Sequence, residues 1–218
     1  MTQLPRLSFG NNAAYRKGMR LDLEGQHAEQ AYKILTGLVT PRPIALVTTQ
    51  GDDGRVNAAP FSFFNVFGSS PPIVAFAPGD RDPEVPKDTA RNIRKNHEFV
   101  VNLVDEPIAE RMVKCAASLD YGISELEHVG LTTVASERVK PPRIAEAPAS
   151  LECREWGTLQ IGDNRLVIGT VSLVHVRNGI LDPEHLYVER DAYSVVGRMH
   201  GPDGYIKTSD FFRIERPD

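Results

Sequence analysis

Apolar residues in this chain fall mostly in short runs and alternations of strand length, broken by Gly, Pro and Asx clusters. Ile44-Ala45-Leu46-Val47 is an apolar run that passes into Thr48 and Thr49. Gly51-Asp52-Asp53-Gly54 supplies the residues of a tight reversal, because glycine and Asx residues tolerate positive φ. A returning strand follows, Arg55 to Pro60, with small side chains at Ala58 and Ala59. Next comes an aromatic-rich bend holding Phe61, Phe63, Phe64 and Phe67. After a turn at Ser69 to Pro72, Ile73 to Phe76 reads as a buried strand. Glu98 to Val104 is a β-rich run, and Leu151 to Ile161 is one strand or a broken pair. Leu166 to Val176 carries the strongest strand pattern, bounded by turn signals at Asp163-Asn164 and Asn178-Gly179.

Helical spacing is confined to a few places. Ala31, Ile34, Leu35 and Leu38 share one face of a helix over Ala28 to Leu38, ended by Thr40-Pro41-Arg42-Pro43. Lys87 to Asn96 predicts a short helix with Asp88 as N-cap and cations at its C-terminus. Asp105 and Pro107 fit the N-cap and first turn of a helix through about Ala117. Leu119 to Val129 is mixed helical and irregular. Lys140-Pro141-Pro142 and Ala147-Pro148 mark extended chain, while Pro78 to Pro86 and the tail from Leu181 read as loop. Residues 1–12 read as a loose arm. No repeat or linker divides the chain, so residues 1–218 form one domain. Hairpins with helices between groups of strands favour a mainly β fold, an antiparallel β-barrel with peripheral α-helices, over a doubly wound sheet.

Composition removes several function classes. The chain is 41% hydrophobic and 25% charged, ordinary for a globular protein, and its net charge of −4 gives no support to a nucleic-acid partner. Cys115 and Cys153 lie far apart without CxxC spacing, which fits small buried hydrophobes in a reducing compartment. No apolar run is long enough for a signal peptide core or a bilayer span, so no membrane partner and a cytoplasmic location are expected. The six histidines show no HxxxH or HExxH pair, so no metal site is expected. His175 reads as a structural group in the long strand, and His200, close to Arg198, as a candidate for testing. GxSxG, P-loop and GxGxxG patterns are absent.

Some constellations admit two readings. Lys87-Asp88-Thr89 enters a helix whose free amides attract an anion, or it is simply a capped surface helix. Thr48 and Thr49 are either phosphate or ring-edge donors or ordinary strand residues. Asn57-Ala58-Ala59-Pro60 lets a flat ligand approach the backbone, or marks an edge strand or bulge. The four phenylalanines form plain core or the wall of a slot.

Taken in order, the segments at 40–78, 87–104, 139–153, 166–176, 197–205 and 211–217 resemble the flavin reductase-like family, whose fold is the FMN-binding split β-barrel. The resemblance spans roughly Leu35 to Pro217. It implies a homodimer with two FMN sites near the subunit interface. Thr48, Thr49, Asn57, Ala58, Ala59, Pro60 and Ser62 would surround the flavin. Lys87 and Thr89 would approach its phosphate, with Asp88 supporting and Arg198 a further contact. The implied activity is hydride transfer from NADH or NADPH to FMN, with no protein nucleophile and therefore no catalytic residue of that kind. Backbone amides around residues 57–62 would stabilise charge on the reduced ring. Electrons would pass to a partner oxygenase or another acceptor. The alternatives are a non-enzymatic FMN-binding electron carrier and an FMN-dependent oxidase.

Overall fold

The computed structural model describes residues 18–82, 85–116 and 125–215. The expected N-terminal arm, the stretch 117–124 and Pro217 lie outside the described residues. Seven strands make one antiparallel sheet: β1 (Ala45–Gln50), β2 (Val56–Phe61), β3 (Phe64–Ser69), β4 (Pro72–Phe76), β5 (Glu98–Leu103), β6 (Ala149–Ile161) and β7 (Asn164–Val176). Their order across the sheet is β2-β1-β5-β6-β7-β4-β3. The two edges, β2 and β3, are consecutive in the chain and joined only by Ser62 and Phe63. In a flat sheet six strand spacings would hold those edges about 29 Å apart. The short connection reaches only about 11 Å. The sheet must therefore curl until those two strand ends come together, which gives the expected split-barrel architecture.

Four helices flank the sheet: α1 (Ala31–Leu38), α2 (Asp88–Asn96), α3 (Glu106–Lys114) and α4 (Glu125–Val129). A 3-10 turn at Ala28–Gln30 leads into α1. Several local expectations need correction. Phe61 to Phe67 is not a bend, since Phe64–Ser69 pairs with Pro72–Phe76 as a hairpin whose register slips between Val66 and Gly68. Of the two readings left open for Leu151 to Ile161, the single strand holds: β6 is continuous, with irregularities at Glu152/Cys153 and Glu155/Gly157. Lys87, not Asp88, occupies the N-cap position of α2, and the Asp88 carboxylate instead pairs with Arg91 at 2.6 Å. Asp105 precedes α3 as expected, but its carboxylate accepts from Arg177 at 2.9 Å and makes no cap bond. α3 ends at Lys114, short of Ala117. The 78–86 loop contains a small pair, Asp80–Asp82 with Val85–Pro86. In the tail, Val196–Arg198 pairs with Arg42–Pro43 on one side and Tyr205–Lys207 on the other.

Alternation along β1 explains why its sequence is apolar throughout. Ala45 and Val47 join one core with Phe61, Phe64, Phe76, Phe99 and Val101, capped by Ile93 of α2. Ile44 and Leu46 join a second core with Ile108 and Met112 of α3 and Leu126 of α4. A strand covered on both faces cannot show polar alternation. In the first core Phe76 stands between Phe61, at 5.1 Å between ring centroids, and Phe99, at 5.4 Å. Gly169 on β7 makes room for Phe99, because a Cβ there would lie 2.4 Å from Phe99 Cζ. In the second core Asn102 is buried yet bonded on both ends of its amide. Its Nδ2 donates to Leu46 O at 3.0 Å, and its Oδ1 accepts from Ile144 N at 2.9 Å and Ser150 Oγ at 2.8 Å. Both cysteines are buried and unbridged, and burial pushes the Cys115 thiol up to about 11. α1 buries none of its residues, so its apolar face is only partly covered among the described residues.

Candidate functional site

The candidate residues converge where α2 lies across the end of β1 and β2. The helix is pinned there by side-chain pairs. Asn57 Nδ2 donates to Thr89 Oγ1 at 2.9 Å, and Asn92 Nδ2 donates to Thr49 Oγ1 at 3.1 Å. Asn96 Nδ2 adds a bond to Gln50 O at 2.7 Å. Ile93 is buried against the barrel beneath them. Docked this way, α2 presents its N-terminal turn beside β2. The first amides of a helix have no intrahelical acceptor and carry the positive end of the dipole. Lys87 stands at that end with its Nζ 5.9 Å from the centroid of Phe61. Among the described residues no carboxylate pairs with Lys87, and Asp88 is occupied by Arg91.

Register divides the expected set between two faces. Thr49 stands opposite Asn57 and Val47 opposite Ala59, so these share the face toward α2. Thr48 stands opposite Ala58 and Leu46 opposite Pro60, which places them on the other face. Thr48 is fully buried there, donates to Pro142 O at 2.6 Å and accepts from Asn102 at 3.3 Å. Its hydroxyl is consumed by packing. Thr49 and Thr89 are also buried, and their hydroxyl oxygens accept the bonds that dock α2. The residues that remain reachable are Asn57, Ala59, Pro60, Ser62, Lys87 and Asp88. Arg198 sits elsewhere, on the small sheet formed by Arg42–Pro43, Val196–Arg198 and Tyr205–Lys207.

The expected amide donors on β2 also need revision. Alternate residues of an edge strand turn their amides outward. The Ala58 amide does so, and it donates to Glu125 of α4 at 3.2 Å. Two residues on, Pro60 has no amide hydrogen. That row thus offers no free amide at Ala58 or Pro60, and the first turn of α2 supplies further main-chain donors.

Arg42 escaped the sequence reading. It is 8% exposed, and its Nε donates to Ser62 Oγ at 3.3 Å. Its pairing with Arg198 is a tertiary fact that no local spacing announces. The TPRP segment reads as a helix stop and as part of the family resemblance, with no role for Arg42 itself. His175 is structural as expected, bonding Glu152 Oε1 through Nε2 at 2.6 Å.

A residue set of this kind matches phosphate chemistry: an uncompensated ammonium, a helix N-terminus and a nearby strip of small side chains. Comparison with known proteins identifies the family. The model of the flavin reductase like domain matches residues 37–196. An uncharacterized protein of Deinococcus radiodurans is 42% identical over 200 residues, covering 89% of this chain and 88% of its own. Among solved structures, the 2-nitrobenzoate 2-nitroreductase of Pseudomonas fluorescens is 38% identical, covers 91% of this chain and 96% of its own, and superposes with a TM-score of 0.82. Nitrilotriacetate monooxygenase component B of Bacillus cereus is 29% identical, covers 91% of this chain and all of its own, with a TM-score of 0.86. The chain belongs to the flavin reductase-like family and is a split-barrel flavin oxidoreductase in the general sense. No helix among the described residues is long and apolar enough to cross a membrane.

Proposed function

We propose that the chain is an NAD(P)H-dependent flavin oxidoreductase that holds FMN between α2 and β2. The observation that carries this is the N-terminus of α2, with Lys87 over Phe61 and, among the described residues, no carboxylate paired with it. FMN bound there would accept a hydride from NADH or NADPH and release electrons to an acceptor. Lys87 and the first amides of α2 hold the phosphate. Asn57 and Thr89 fix the angle of that helix turn through their mutual bond. Ala59 keeps the surface low so that a flat ring can lie against it. No side chain need act as a nucleophile.

The likeness to a nitroreductase supports a nitroarene as one acceptor, and the likeness to a monooxygenase component supports a partner oxygenase. A cytoplasmic site of action fits this use of diffusible nicotinamide. We also propose that two copies pair through α1 and β3. Tyr32, Leu35, Leu38, Phe63, Val66 and Phe67 are exposed there, and Tyr32 and Phe63 join the two elements at 6.2 Å.

Purified protein should take up FMN and show a flavin absorbance spectrum. Lys87→Ala should weaken FMN binding about tenfold or more, the worth of one charge-assisted bond. Anaerobic NADH or NADPH should bleach the bound flavin. Bleaching by neither donor would favour an electron carrier reduced by a protein, or an oxidase that takes electrons from its own substrate. Failure to take up FMN would overturn the reading itself.

A further inference from the structure

Arg42 and Arg198 stand directly opposite one another where Arg42–Pro43 pairs with Val196–Arg198. Tyr205 is the partner of Arg198 on the third strand, so the three side chains form one row on one face. Like charges set opposite each other in a sheet repel. Arg42 is also buried, and burial together with Arg198 lowers its guanidinium pKa from the ordinary value. Among the described residues no carboxylate pairs with either arginine.

Their polar partners are all neutral. Arg42 donates through Nε to Ser62 Oγ and through Nη1 to the carbonyls of Thr36 and Val39 at 2.6 and 2.7 Å. Arg198 is held by the carbonyls of Gly201, Pro202 and Gly204 and lies 4.9 Å from the centroid of the Tyr205 ring. These contacts orient both guanidinium groups but cancel no charge. The bonds from Nη1 explain how Arg42 pins the end of α1. They leave Nη2 of Arg42 without a partner among the described residues.

We propose that Arg42, with Ser62 and Arg198, forms a subsite for an oxyanion, a carboxylate or phosphate group of the molecule that exchanges electrons with the flavin. Ser62 directly follows Phe61, the ring beneath Lys87. The subsite is therefore adjacent in sequence to the candidate flavin site, as a second anion position distinct from the N-terminus of α2. Arg42 has its two Nη2 hydrogens left for such a group, and Arg198 adds a second positive charge beside them. The reaction partner's identity rests on the function proposed above, whereas the anion subsite is tested without flavin.

Calorimetric titration of the flavin-free protein with sodium benzoate, and separately with inorganic phosphate, at constant ionic strength provides the test. Saturable binding of at least one anion is expected. Arg42→Gln should weaken it about tenfold or more, with Arg42→Lys in between. The exposed Arg94→Gln should leave it unchanged. Preference for benzoate points to a carboxylated acceptor, and preference for phosphate to the nicotinamide nucleotide. Phosphate binding that is lost in Lys87→Ala but kept in Arg42→Gln belongs to the flavin end and overturns the proposal. So does binding of neither anion. If Arg42→Gln fails to fold by circular dichroism, Ser62→Ala and Arg198→Gln take its place, and unchanged affinity in both overturns the proposal equally. Flavin uptake without anion binding would sink this inference alone. Anion binding without flavin uptake would sink the flavin reading and leave the subsite standing.

Discussion

At Gly169 one hydrogen atom decides whether the barrel closes around its aromatic core. A Cβ there would meet Phe99 Cζ at 2.4 Å and Arg154 O at 3.2 Å. Phe99 cannot retreat easily, because Phe76 lies at 5.4 Å on its other side. Gly169→Ala should therefore cost about 1–3 kcal/mol, as overpacking of a tight core does, read as a lower urea midpoint at unchanged slope. A midpoint equal to wild type would show that the ring shifts freely. Sequence reading reached the small-residue pattern and Lys87 because these depend on neighbours in the chain. It missed Arg42, Glu125 and Glu152, whose partners are distant: Arg42 faces Arg198, Glu125 reaches the Ala58 amide, and Glu152 meets His175.

Between elements, Glu152 ties β6 to a preceding stretch of chain and to β7. Its fully buried carboxylate accepts from the amides of Glu137 and Arg138 at 2.8 and 2.6 Å, and from His175 at 2.6 Å. Burial alone would raise its pKa, but these bonds outweigh burial and hold it below the ordinary carboxylate range. A carboxyl depressed in the folded state stabilises fully above its unfolded pKa of about 4.3 and loses that contribution as pH falls through the lower folded value. Glu152→Gln should destabilise by about 1–3 kcal/mol at neutral pH, since the new amide donors would oppose amide donors. The deficit should shrink in urea titrations carried out at progressively more acidic pH. An equal deficit at every pH would locate the loss in packing instead of charge. The strands themselves were legible wherever alternation ran unbroken, as in β7. β3 and β6 were blurred at the places where their registers slip, since a bulge throws the alternation out of phase. The tail strands are too short to show any period.

For the molecule as a whole, the grouping of strands into hairpins identified the barrel class, while its closure became clear only when β2 and β3 proved to be the two edges. The apolar face of α1 was legible as a helix stripe, but no chain pattern says what covers it. If a second copy does, light scattering should report a dimer at micromolar concentration. Leu38→Glu combined with Phe67→Glu should then give a folded monomer, because each buried charge at such a contact lacks a partner. A wild-type monomer at those concentrations would reassign the face.

The outer edge of β2 has a consequence for behaviour in crowded solution. An unprotected edge strand is a template onto which stray chains can add, the first step toward fibres and precipitates. At Pro60 an incoming strand meets a missing hydrogen, and at Ala58 it meets one already claimed by Glu125. The same pair of residues that denies amides to a ligand also denies them to a misplaced neighbour.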